Sequence, residues 1–192
     1  PKSGHPGNSQ NHLLGCLFLG NRGPMRVQKK LFHCGDILLA SMNTEIGEVL
    51  AAVHAVEWRD SFEYAKEGKV YRHQAGYNLA LAVVFKTMGW NSQPVLRTDP
   101  KLIGDFRKGL VFVEIQFGNS ATLYRDFYKF RYGLANGLLS LAVLVIPSNP
   151  VQFFPTRRRS VQNMADLGLA DRCLSVLPVN VPTLLPGLLP AV

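Results

Sequence analysis

Apolar positions along the chain recur with two periods, and each period marks a kind of element. From Asn43, a plausible helix N-cap, Ile46, Val49, Leu50 and Val53 repeat at i, i+3, i+4 and i+7, which lays an apolar stripe along one side of a helix. Tyr77, Leu81, Val84, Phe85 and Met88 repeat the pattern, and Gly89 closes this second helix. A third is predicted over residues 120–132, capped by Asn119 and ended by Gly133. Its Leu123, Phe127 and Phe130 face the core, while Arg125, Lys129 and Arg131 turn to solvent or a partner. Between the last two helices the period drops to two. Residues 102–106 and 110–117 read as a hairpin that turns at Arg107-Lys108-Gly109, and residues 90–96 as a strand before it. Residues 138–146, apolar almost throughout, suit a central strand covered on both faces. Residues 173–177 form another short β-capable run, and the Pro/Leu-rich tail beyond shows no helical period. Strands alternating with helices give an α/β fold, a mixed central β-sheet flanked by helices.

The punctuation of the chain divides it in two. Residues 1–10 are rich in Gly, Ser, Asn and Pro, and Asn21-Arg22-Gly23-Pro24 breaks the short apolar stretch that follows, so residues 1–25 read as a flexible N-terminal extension and residues 26–192 as one domain. A chain of 192 residues can bury a core without disulfides or a structural metal. Lys and Arg number 21 against 13 Asp and Glu, a net charge of +8, and that surplus favours polyanions, nucleic acid before an acidic membrane face. Cys16, Cys34 and Cys173 are odd in number, far apart and without a CxxC pair, which suits a reducing cytoplasm and excludes a disulfide framework or zinc ribbon. No apolar run approaches the roughly 18 residues of a membrane span, so a soluble protein is expected. P-loop, dinucleotide, HExxH and GxSxG signatures are absent, and the five histidines lack ligand spacing.

The chemistry that remains is acidic. In residues 111–117 the alternation sets Val111, Val113, Ile115 and Phe117 on one face and Phe112, Glu114 and Gln116 on the other. A carboxylate buried within such a strand is costly unless compensated. Either Glu114 pairs with Arg107 or Lys108 at a half-exposed edge, or it holds a cation. Asp105 supplies a second carboxylate, and two carboxylates with a neutral amide oxygen suit a hard divalent ion such as Mg²⁺, which can activate a water against a phosphodiester. A tight turn at Arg107-Lys108-Gly109 puts Asp105 opposite Val111, about 10 Å along the strand from Glu114, so a shared ion then needs a bend or bulge. Glu57, at i+11 from Ile46, falls in the first helix's apolar stripe and is either a helix-end residue turning out to solvent or a further site carboxylate.

Asp105, eight intervening residues, Glu114-Ile115-Gln116-Phe117-Gly118-Asn119 and a following helix of aromatic and basic residues resemble the active-site segment of BglII/BstYI-type restriction endonucleases, of the PD-(D/E)XK nuclease fold. More weakly, the resemblance reaches the Asn43 helix, Gly68-Lys69-Val70-Tyr71 and the strand at 138–146. It departs from the general motif at Gly104, where proline is usual, and at Gln116, where most nucleases of this fold carry lysine. The resemblance implies a type II restriction endonuclease, with Asp105, Glu114 and the Ile115 carbonyl holding Mg²⁺. Gln116 would orient the attacking water or a ligand of the ion, since an amide is neither a base nor a cation. Asn119, Ser120, Arg125, Lys129 and Arg131 would contact double-stranded DNA, Asn and Arg reading base edges and Lys fixing phosphate. A palindromic, GATC-centred site, 5′-phosphate ends and a homodimer are implied with it. Arg157-Arg158-Arg159 suits a phosphate-binding loop or a solubilising turn equally. Two rivals stay open: a repair or mobile-element nuclease of the same fold, and a non-catalytic DNA-binding module.

Overall fold

The computed structural model describes residues 21–190. In chain order these form β1 (Arg22–Pro24), β2 (Arg26–Phe32), α1 (Asp36–Ser41), α2 (Asn43–Ala55), β3 (Glu57–Arg59), β4 (Glu63–Lys66), β5 (Lys69–Arg72) and α3 (His73–Thr87). Then follow β6 (Asn91–Ser92), β7 (Val95–Arg97), β8 (Leu102–Ile103), β9 (Phe106–Lys108), β10 (Val111–Ile115), α4 (Ser120–Ala135), β11 (Leu141–Pro147), α5 (Pro150–Phe153), α6 (Leu167–Val176) and β12 (Thr183–Leu189).

Six strands make the main sheet in the order β2-β12-β11-β10-β9-β6. Strands β10, β11 and β12 run parallel, whereas β2, β9 and β6 pair antiparallel, so the sheet is mixed. Every residue of β11 is buried, as a strand in mid-sheet with apolar layers on both faces should be. One layer joins Val111, Val113, Val143 and Phe117 to α2 and α3 through Val53, Leu81 and Phe85. The other joins Phe112, Leu144 and Leu185 to α4 and α6 through Phe127, Phe130 and Leu174. This is the α/β architecture expected, and the alternation along β10 divides its side chains between the two layers. Among the described residues no helix is long and apolar enough to cross a membrane.

Several local expectations are corrected. Asn43 is the first residue of α2 rather than its cap, Met42 taking that place. Gly133 does not end α4, which continues to Ala135; it is a point of close approach, where a Cβ would stand 2.6 Å from Leu139 Cδ2. Residues 173–176 are helical and Leu177 is the helix's C-cap, because Asp166 caps α6 and Leu167, Ala170, Cys173 and Leu174 line its buried side. The Pro/Leu-rich tail contains β12, a sheet strand whose pairing with β11 skips Leu185 and Pro186. Met25 is 1% exposed and β1 pairs with β3, so the fold already includes the last residues read as N-terminal extension. Residues 1–20 lie outside the described residues. Cys34 and Cys173 are free thiols.

Candidate active site

The turn between β9 and β10 is two residues long, Gly109 and Leu110, with Gly109 in the left-handed region at φ +53°. Lys108 therefore pairs with Val111, Arg107 with Phe112 and Phe106 with Val113. The ladder ends at that pair; Asp105 and Glu114 are the next residue on each arm, and the Asp105 carboxylate turns in to accept from the Ile115 N–H. The displacement expected from a turn at Arg107-Lys108-Gly109 does not arise, because Arg107 and Lys108 belong to the strand. Neither reaches Glu114. Lys108 Nζ lies 2.7 Å from both Glu48 carboxylate oxygens, and Arg107 donates to the Gly109 carbonyl.

Glu114 is 3% exposed, and its charge is met from α4. Lys129 Nζ stands 2.9 Å from Glu114 Oε2 and 2.9 Å from Asp126 Oδ1. Asp126 Oδ2 accepts from Gln116 Nε2, and Gln116 Oε1 accepts from the Gly118 N–H at 2.8 Å and the Thr122 hydroxyl at 3.0 Å. Asp105 Oδ2 accepts from the Ile115 N–H at 2.7 Å. Gln116 is thus engaged at both ends of its amide and ties β10 to the start of α4.

Glu114 Oε1 is buried and has no hydrogen-bond partner. Burial holds the Glu114 carboxyl well above the usual range, and Asp105 and Asp126 add to the rise against the opposing Lys129 ammonium. Burial also raises Asp105, countered by the Ile115 N–H and Lys129. On Lys129 burial acts downward, but Glu114 and Asp126 outweigh it and hold the ammonium above its ordinary value. Glu114 and Asp126 flank one ammonium and Asp105 adds a third carboxyl, so when all three are ionised two negative charges lack a counterion. An orphaned carboxylate oxygen, a second carboxylate beside it and a charge deficit of two fit one hard divalent cation. Among the described residues no three His, Cys, Asp or Glu side chains form a metal cluster. The side chains that fit are therefore Asp105 and Glu114. Asp105 and Ile115 open onto a cleft of about 290 Å³ lined also by Asn78, Ser92 and Gln93.

A stability prediction follows from the raised carboxyls. Each is harder to ionise folded than unfolded, so the folded chain binds more protons between the ordinary and the raised pKa. Stability must therefore rise as pH falls through that window. In EDTA, the melting temperature should climb as pH is lowered toward the ordinary carboxyl range, and Glu114→Gln should remove most of the slope. Equal slopes in the two proteins would contradict the charge assignment.

Gly104, in the position of the motif's usual proline, has a steric cause. A Cβ there would lie 2.0 Å from Phe112 Cζ and 3.1 Å from Glu114 Oε1. The Phe112 ring, wholly buried, occupies the space a side chain would need. Gly104→Ala should destabilise by about 1–3 kcal/mol, the usual cost of overpacking, and thermal melts can read it.

The other expected site residues are distributed as follows. Asn119 caps α4 through Oδ1, accepting from the Ala121 N–H at 2.9 Å, and is exposed; Ser120 is half-buried beside it. Arg125 and Arg131 are exposed, whereas Lys129 is 5% exposed and turned into the acidic cluster rather than toward solvent. Glu57 is not part of α2: it begins β3, where Arg59 Nη2 holds its carboxylate at 2.9 Å, half-exposed. It makes no hydrogen bond or ion pair with Asp105, Glu114 or Lys129. The loop after β11 docks on the start of α4, with the Ser120 N–H donating to the Asn163 carbonyl at 2.9 Å. Gln74, Asn119, Ser160 and Asn163 consequently line one small polar recess, and Arg157 bonds Gln74 beside it. Sequence reasoning missed Asp126, Asn78 and Gln93. Asp126 left a signal, since at i+3 from Leu123 it lies on the apolar side of α4.

A hairpin that brings the half-buried Asp105 and the buried Glu114 together in a mixed sheet, next to a helix start and a basic loop, fits the restriction-endonuclease fold. The sequence model described as restriction endonuclease BglII/BglIII matches residues 29–173, and the chain belongs to this family, the type II site-specific deoxyribonucleases of BglII type. Its fold is similar to restriction endonuclease BglII, solved in complex with a DNA 16-mer, with a TM-score of 0.67 and 15% identity over 84% of this chain and 75% of that one. No curated protein sequence matches.

Proposed function

We propose that the chain is a Mg²⁺-dependent restriction endonuclease that cuts duplex DNA at a palindromic, GATC-centred site and leaves 5′-phosphate ends. The observation that carries this reading is the Asp105 carboxyl close beside a buried Glu114 whose Oε1 is unpartnered. When bound there, Mg²⁺ would lower the pKa of a water and offset charge developing on the phosphate. The chain's own residues do the rest. Asp105 and Glu114, with the Ile115 carbonyl, hold the ion; the Ile115 N–H fixes Asp105, and Gln116 fixes the start of α4 against β10. Since Asn119 uses only Oδ1 for capping, its Nδ2 is free to donate to a base edge. Ser120 and Arg125 extend the same contact surface, Arg131 lies on the far side of α4 from Lys129, and the exposed Arg158 and Arg159 suit backbone phosphates. A palindrome read by one such surface requires a second copy in two-fold relation, hence a homodimer.

Incubating the protein with unmethylated phage DNA in Mg²⁺ and in EDTA tests the reading. Discrete fragments that need Mg²⁺ are expected. A Mg²⁺-dependent smear would transfer the chain to repair-type nucleases of this fold, and salt-sensitive binding without cleavage would make it a binding module.

A further inference from the structure

We infer that Lys129 is the positioning lysine of this site, supplied by α4 in place of one on β10, and that it sets the orientation of Glu114. The inference rests on the nuclease reading above. A lysine buried to 5% exposure is costly unless both its charge and its donors are satisfied. Here two carboxylates do so, each at 2.9 Å. Position 116, just past β10 and two residues beyond Glu114, carries a neutral amide, so no cation reaches Glu114 from its own strand; Arg107 and Lys108 on β9 are engaged elsewhere. The ammonium grips Oε2 alone, which anchors one oxygen of the carboxylate and leaves Oε1 unbonded. Its second bond, to Asp126, continues through Gln116 to the Gly118 N–H and the Thr122 hydroxyl at the start of α4. One chain of hydrogen bonds thus runs from the catalytic carboxylate to the helix start that presents Asn119. A neutral side chain at 129 would free Glu114 to rotate while leaving the exposed DNA-facing residues in place. On this account Lys129 touches no phosphate.

The test compares wild type, Lys129→Met and the charge-balanced pair Lys129→Met with Asp126→Asn, whose new amide can still accept from Gln116. Removing both members of an ion pair is far less disruptive than removing one, so the pair folds even where the single variant does not. Single-turnover cleavage in Mg²⁺ is measured beside DNA affinity and its salt dependence in Ca²⁺, and melting confirms folding. The expected result is cleavage slowed on the order of a hundredfold in both variants, the cost of a misplaced group, with affinity and salt slope unchanged. Wild-type cleavage in the charge-balanced pair would overturn the inference, since the lysine would then only neutralise Asp126. Weakened binding with a salt slope reduced by about one would also overturn it, in favour of a phosphate contact. A wild type that cuts no DNA would overturn the nuclease reading and this inference together, whereas equally fast variants of a cutting wild type overturn this inference alone.

Discussion

Replacing Glu114 with alanine should abolish cleavage without unfolding the protein. The side chain is one of the two carboxylates brought together next to the β9–β10 ladder and carries the unpartnered oxygen, so its loss removes half of the charged donors for a cation. Losing several kcal/mol of transition-state stabilisation corresponds to a rate reduction on the order of a thousandfold or more. Stability should move the other way in EDTA. Glu114 is held well above its ordinary pKa by burial and by Asp105 and Asp126, so ionising it opposes folding, while Lys129 keeps Asp126 as a partner in the variant. A site that destabilises its own fold is a familiar cost of function. Single-turnover rates and melting curves on the same preparations check both halves. A variant that loses activity only because it melts would contradict the assignment.

Phe112→Ala should produce the largest loss of stability among single changes near the site. Its ring is wholly buried, stands edge-on to Phe130 at 6.1 Å between centroids, and fills the space beside Gly104. Truncating a buried phenylalanine costs about 3–5 kcal/mol. For a domain of this size that lowers the melting temperature by roughly 10 °C. Because the ring is also what excludes a side chain at 104, combining Phe112→Ala with Gly104→Ala should cost less than the sum of the two. Additive penalties would show that the contact at Gly104 is not the limiting one.

The amphipathic helices and the alternation in β10 were legible in the sequence because period alone carries them. Register was not. Arg107-Lys108-Gly109 has turn composition, but the chain reverses at Gly109 and Leu110, and a shift of that size decides whether Asp105 lies beside Val111 or Glu114. The sign of a side chain's charge misled on Lys129. A cation on a basic helix reads as facing solvent or a DNA partner, although Asp126 sits three residues earlier on the buried side and supplies the partner that lets it turn inward. Strand β12 escaped because it is covered on both faces, so it shows no alternation, and because Pro186 is atypical of a sheet interior. Glu57 was placed by extending the period of α2 past its end at Ala55, where the chain leaves helical geometry for β3.

The central claim is that Asp105 and Glu114 hold one divalent cation, and a Mg²⁺ titration of the melting temperature in mildly alkaline, DNA-free buffer tests it most directly. Ligand that binds only the folded state raises stability with concentration. Mg²⁺ should raise the melting temperature of the wild type stepwise and leave that of the double variant Asp105→Asn, Glu114→Gln unmoved. An equal rise in both proteins would place the ion elsewhere and contradict the account.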